Sequence, residues 1–111
     1  MAQDMTEKEF QGLIFELGRM LGWHHMAHFR PGKSKGGRWS TPMSGDVGFP
    51  DLVMVRDRVI FVELKSEVGK LGPGQQDWLD SVEAAGVESY LWRPSDLANG
   101  TVAGVLNRRQ K

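Results

Sequence analysis

The chain contains no cysteine. Disulfides and thiolate metal sites are therefore excluded, and the expected compartment is a reducing cytoplasm. No apolar run approaches the length needed to cross a bilayer. The first ten residues, MAQDMTEKEF, are polar and acidic and lack the basic start and apolar block of a secretory signal. No internal repeat is visible. Formal net charge is zero, so the overall balance gives no reason to expect a polyanionic partner.

One absence is local. No Asp or Glu stands between Glu16 and Asp46, whereas Arg19, Arg30, Lys33, Lys35 and Arg38 fall there together with His24, His25 and His28. Arg108, Arg109 and Lys111 add a basic tail. A basic segment beside an acidic one suits a site that must attract phosphates while carboxylates hold a cation, although a solvated loop has the same charges. The three histidines have no matching ligand cluster nearby in sequence, and a transition-metal site needs three or four ligands. Trp23, Phe29 and Trp39 interleave with the basic residues, where aromatics can stack on exposed bases but are more often buried. Lys35-Gly36-Gly37 lacks the ordered strand and Ser/Thr of a phosphate loop, which argues against an NTPase.

At 111 residues the length fits one domain, 1–111, with a single core. Residues 6–23 read as an amphipathic helix, with Phe10, Leu13, Ile14, Leu17 and Leu21 at helical spacing. Thr6 and Glu9 have the spacing of a capping box, and Gly22 is the expected stop. A short strand is expected within 24–30. The Gly-, Ser-, Pro- and Lys-rich stretch 31–48 reads as a long loop. Residues 51–55 and 59–65 form a predicted hairpin around Arg56-Asp57-Arg58, rich in β-branched residues. A turn at 69–74 leads to a helix over 75–86, with Trp78, Leu79 and Val82 inward and Gly86 at its end. Trp78 and Trp92 suit core positions. Residues 87–93 alternate as a strand, and Ser95 is placed to cap a last helix over 96–106, weakened by two glycines. The order α-β-β-β-α-β-α predicts an α/β domain with a mixed sheet flanked by helices.

The hairpin carries the chemistry. If residues 56–58 make its loop, Val55 faces Val59, Val53 faces Phe61, and Asp51 faces Glu63. Directly opposed side chains lie roughly 4.5–5.5 Å apart at Cβ, and like charges there destabilise a sheet. A divalent cation that prefers hard oxygen ligands, Mg²⁺ above all, compensates such a pair. Lys65 lies two residues beyond Glu63 and hence on the same face of the strand. There it could orient a nucleophile or oppose developing negative charge. Pro-Asp alone is a common turn and Glu-x-Lys alone a common solvated edge. Their meeting at opposed strand ends is what favours a metal site over a local ion-pair network.

Pro50-Asp51 followed by Glu63-Leu64-Lys65 resembles the PD-(D/E)xK nuclease motif. The longer pattern is similar to the VRR-NUC branch of that superfamily, found in phage and repair nucleases. It comprises GFPDLV (48–53), FVELKSEVGKL (61–71), Gln75 with Trp78-Leu79, and YLWRPSDL (90–97). The resemblance implies a restriction-endonuclease-like fold and Mg²⁺- or Mn²⁺-dependent hydrolysis of DNA phosphodiesters. By matching position, it implies Asp51, Glu63 and the backbone carbonyl of Leu64 as metal ligands. Lys65 would be catalytic, and Gln75 would position the lysine or the attacking water. Related nucleases often carry a further acid on the first helix. Here that position holds Gln11, and Glu7, one turn earlier on the same face, is the substitute candidate.

Small standalone members resemble Holliday-junction resolvases and can act as dimers. The resemblance thus implies branched DNA as substrate, a homodimer as a fitting assembly, and a host cytoplasm if the chain is phage-encoded. Arg30, Lys33, Lys35 and Arg38 are the expected phosphate contacts, giving salt-dependent, weakly sequence-selective binding. The alternative is a non-catalytic nucleic-acid-binding module, or a partner-dependent subunit of a repair or replication complex.

Overall fold

Thr6 and Gly22 set the limits of the first helix. In the computed structural model, which describes residues 5–29, 32–33, 39–40 and 45–109, helix α1 spans Glu7–Met20. The Thr6 hydroxyl accepts from the Glu9 N–H at 3.1 Å, and the Glu9 carboxylate accepts from the Thr6 N–H at 3.0 Å. Two of the helix's orphan donors are thus satisfied reciprocally. At the other end Gly22 takes φ +93°. Its N–H reaches the Arg19 carbonyl and the Trp23 N–H reaches that of Gly18, the paired bonds that close a helix on a left-handed residue.

The remaining elements follow in chain order. Strand β1 is His25–His28, β2 Gly32–Lys33, β3 Trp39–Ser40, β4 Leu52–Val55 and β5 Val59–Leu64. Then come α2 Gln75–Ala84, β6 Glu88–Trp92, α3 Pro94–Ala98 and α4 Thr101–Asn107. β1, β4, β5 and β6 form one sheet in that order. β1 and β5 both pair antiparallel with β4, and β6 runs parallel to β5 after the α2 crossover. The fold is thus α/β, a mixed sheet flanked by helices, as the element order predicts. Among the described residues no helix is long and apolar enough to cross a membrane.

Three details depart from the sequence reading. The stretch expected as a loop over 31–48 contains a small antiparallel sheet, β2 with β3. The last helix begins at Pro94 rather than after Ser95, because the Asp96 carboxylate already accepts the Arg93 N–H at 2.8 Å. It is also cut in two at Gly100, whose φ of +87° no helix continues through. Lastly, Leu13 is 38% exposed. The buried row of α1 is Phe10, Ile14 and Gly18, spaced by four residues, and Leu13 lies one residue off it. Gly18 sits so near the sheet that a Cβ there would stand 2.8 Å from the Met26 sulfur.

Alternation on the central strands sorts the two faces. Leu52 and Met54 of β4 and Ile60, Val62 and Leu64 of β5 join Phe10, Ile14, Trp23, Trp92, Val102 and Leu106 in one buried cluster. α1 and α4 therefore share that face. The intervening positions on β5, Phe61 and Glu63, belong to the face that α2 covers: Phe61 meets Phe49 edge-on at 6.2 Å, and Phe49 meets Trp78 of α2 at 5.1 Å.

The hairpin turn is itself anchored. Both the Arg56 and Arg58 guanidiniums lie over the Trp23 ring, at 4.7 and 5.1 Å. Arg56 donates to the Leu21 and Leu106 carbonyls at 3.0 and 2.7 Å, Arg58 donates to the Val105 carbonyl, and both reach the Arg108 carbonyl. The indole N–H of Trp23 donates to Leu106 as well, at 2.9 Å. Two of the last carbonyls of α4, those of Val105 and Leu106, thus find partners on the hairpin turn and on Trp23, just beyond α1.

A close backbone approach fixes the other end of the hairpin. Gly48 and Gly74 have φ of +102° and +78°. A Cβ on Gly48 would stand 2.4 Å from the Gly74 carbonyl carbon. Only glycine allows both the backbone angle and the contact, which brings the segment before Asp51 against the start of α2. Gly48→Ala should therefore cost at least about 3 kcal/mol, strain and clash combined. Gly86→Ala, at φ +89° with open space around the new Cβ, should cost about 1 kcal/mol from strain alone. Urea unfolding of both variants measures the difference, and equal losses would contradict the approach of residues 48 and 74.

Candidate functional site

The strand register predicted from the loop holds over the ladder: Val55 pairs with Val59, Val53 with Phe61 and Leu52 with Val62. It stops one pair short of Asp51 and Glu63. Asp51 leaves the ladder, and its Oδ2 accepts the backbone N–H of Leu64 at 3.1 Å, while its own carbonyl accepts the Phe29 N–H at 2.8 Å. The Asp51 carboxylate is thereby turned onto the end of β5, next to Glu63.

Glu63 is the exception in the core, a charged residue only 1% exposed. Alternation puts it on the face that α2 covers, so burial follows from the position alone. Its Oε2 accepts from Gln75 Nε2 at 2.9 Å and lies 3.8 Å from Lys65 Nζ. Its Oε1 is buried and, while the group is ionised, has no hydrogen-bond partner. Burial, then the Asp51 charge, then the Asp51 carboxyl contact push the Glu63 carboxyl up to about 8, against the weaker pull of Lys65. Two carboxyls that cannot both ionise without help, one with an unsatisfied oxygen, are what a hard divalent cation would relieve. The two carboxylates offer oxygen donors only, the kind that Mg²⁺ or Mn²⁺ prefers.

Gln75 and Lys65 are brought to the same point by different means. Lys65 follows directly from β5, with its N–H on the Trp92 carbonyl at 3.1 Å. Gln75 opens α2, and its Oε1 accepts the Gly72 N–H at 2.6 Å, which leaves the amide NH₂ for Glu63. The turn between them is tied by Arg93, whose Nη1 donates to the carbonyls of Ser66, Glu67 and Gly69 at 2.7, 3.3 and 2.7 Å. Sequence reasoning gave Arg93 no role; a lone Arg after a strand carries no sign of which distant carbonyls it will hold.

Other candidates are not gathered there. Among the described residues no group of three His, Asp or Glu could hold a metal, so Glu7 does not complete the carboxylate pair. Gln11 is half-buried on α1, and among the described residues no hydrogen bond ties it to the site. Arg30, Lys35 and Arg38 lie outside the described residues, and Lys33 is seen only as backbone paired with Trp39. His24 and His25 are exposed. Trp92 is in the core at 1% exposure. Trp78 departs from the core position expected of it: it is half-buried, edge-on to Phe49, with its N–H directed to the Asp46 carbonyl at 3.3 Å. It lines a surface cleft with Asp46 and Asp77. A helix position next to a buried Leu79 gives no sign of which side of the stripe stays open.

Searches of curated proteins and of solved structures returned no match. The family model of the VRR-NUC domain matches residues 32–95, a span that holds Asp51, Glu63, Leu64, Lys65, Gln75 and Arg93 and leaves out α1, with Glu7 and Gln11, and α4. With more than half of its length matched, and the match centred on the hairpin that carries the carboxylates, the chain belongs to the VRR-NUC family of nuclease-type domains.

Proposed function

We propose that the chain is a Mg²⁺- or Mn²⁺-dependent endonuclease that hydrolyses DNA phosphodiesters, with branched DNA such as Holliday junctions preferred. The observation that carries the reading is Glu63, a buried carboxylate with an unpartnered oxygen set beside Asp51. Asp51, Glu63 and the Leu64 carbonyl hold the ion. When bound, the ion supplies positive charge against phosphoryl oxygens and makes water more acidic. Lys65, with its ammonium near Glu63, steers the attacking water and opposes charge developing on the phosphate. Gln75 keeps Glu63 in one orientation through its paired hydrogen bonds. The basic segment with Arg30, Lys33, Lys35 and Arg38 grips phosphates. The preference for junctions, a homodimer to match their two-fold shape, and a cytoplasmic setting rest on the resemblance to resolvases and on composition.

A second reading has one observation in its favour. With no third acid in the cluster among the described residues the site has less negative charge than a metal cage usually provides, which suits a non-catalytic module that binds nucleic acid. Cleavage decides between them. Linear, flapped, single-stranded and four-way-junction DNA should be cut with Mg²⁺ or Mn²⁺, most rapidly at the junction. Lys65→Ala should lower the rate by at least about a hundredfold. Asp51→Asn should abolish cutting while leaving the metal-free protein as stable or more so, since it removes a repelling charge. Binding without products under every metal would favour the module, and a marked loss of thermal stability in Asp51→Asn would favour a structural ion-pair network.

The raised Glu63 group gives a second test. Its carboxyl titrates near 4.5 in the unfolded chain and about 8 in the fold, so between these values the native state holds a proton that the unfolded state has lost. Stability from this group is full below about pH 4.5 and lost as pH rises through about 8. In EDTA the melting temperature should fall across this window, and Glu63→Gln should flatten the fall. Added Mg²⁺ should raise the melting temperature more at pH 8 than at pH 6, because binding must displace the proton. A Mg²⁺ effect equal at both pH values would contradict Glu63 as a ligand.

The grip on phosphates is tested by salt. Replacing Lys33, Lys35 and Arg38 with Ala should weaken duplex binding and reduce the slope of log K against log salt by up to about 2.7, at about 0.9 per lost phosphate contact. An unchanged slope would remove the segment from the interface.

A further inference from the structure

A cleft of about 370 Å³ opens directly beside the carboxylate pair, with Asp51 and Gln75 forming part of its wall. Its other sides are largely apolar: Phe29, Val47, Phe49 and Pro73 line it. The two phenylalanine rings meet edge-to-face, 6.1 Å apart at 87°. Phe49 is braced from behind by Phe61 and Trp78, again edge-on, so the aromatic wall is set before any ligand arrives. Phe29 is held by its backbone, which donates to the Asp51 carbonyl. One aromatic wall and one carboxylate of the pair are therefore parts of the same local structure.

The lining decides what the cleft can take. Two phenylalanine rings and Asp46 stand in it beside Asp51, the residue read above as holding the ion. A neutral heterocycle has π faces for the rings and offers ring and amino N–H groups to Asp46. We infer that this cleft receives the unpaired nucleobase next to the phosphate being cut. A base inside a duplex cannot reach it without leaving the stack. The cleft therefore makes an unpaired nucleotide beside the cut a condition of tight binding. The inference rests on the nuclease reading for where the phosphate lies, and it names the feature of branched DNA that the site would recognise.

The test is equilibrium binding, separate from cleavage. In Mg²⁺, Glu63→Gln protein, which keeps the side-chain shape but should leave strands uncut, is titrated with a duplex bearing one bulged nucleotide. A second titration uses the same duplex with that nucleotide abasic. The base-bearing bulge should bind about tenfold more tightly, the order expected for one base on an aromatic ring. Phe29→Leu, which keeps apolar volume and loses the ring, should bring the ratio to near one, and Phe29→Tyr should restore it. Equal affinity for the two bulges, or a preference that survives Phe29→Leu, overturns the inference. If the wild-type chain cuts no DNA while the base preference and its loss in Phe29→Leu persist, the nuclease reading fails and the base site stands.

Discussion

The buried Glu63 carboxylate beside Asp51 is the constraint around which the rest of the site is arranged. Taking a carboxylate out of water costs several kcal/mol unless partners replace the solvent. Here one oxygen has a single amide partner, the other has none while the group is ionised, and the Lys65 ammonium stands at 3.8 Å. The group escapes part of the cost by keeping its proton to about pH 8. Such a pair would drift apart in a loosely held site, so its persistence depends on what surrounds it. The Gly48–Gly74 approach locks the entry to β4 onto the start of α2. Arg93 ties the turn that joins Lys65 to Gln75. Each removes a route by which the two carboxylates could separate.

Legibility divides along the range of the interactions. The pairing of Val53 with Phe61, and the placing of Glu63 and Lys65 on one face, follow from a three-residue loop and a period of two, both local properties. The limits of α1 were readable for the same reason, since Thr6, Glu9 and Gly22 act on their own neighbours. Local reasoning failed where the answer depended on docking. Leu13 satisfies the helical spacing as well as Ile14 does. Which of the two is buried is decided by where Gly18 lets the helix meet Met26 and Met54. Ser95 has the chemistry of a cap, yet Pro94 and Asp96 start the helix two residues sooner. Trp78 has the bulk of a core residue but stands at the lip of a cleft, because Phe49 and not the sheet receives its edge.

The site shows the same division. Asp51, Glu63 and Lys65 could be placed by counting along two strands. Gln75 was found only through resemblance, because its contact with Glu63 requires α2 to dock with Gly74 against Val47. Phe29 was considered as one of several aromatics among basic residues, with nothing to single it out. Its place on the cleft follows from the β1–β4 pairing, which sets its N–H on the Asp51 carbonyl.

The two ends of the hairpin are treated in opposite ways, and this explains how the fold tolerates its own site. At the turn, Arg56 and Arg58 face a ring and a set of backbone carbonyls, and Trp23 joins them, so the Val105 and Leu106 acceptors at the end of α4 are satisfied. At the open end, two acids are held together with too few donors. Satisfied groups at one end give the strands a fixed register, and a fixed register is what prevents the acids at the other end from relieving their repulsion by slipping one residue. Destabilising geometry at a functional site persists only where the surrounding structure over-determines it. In this chain the over-determination comes not only from the contacts around the site but also from residues 56 and 58, at the opposite end of the same two strands.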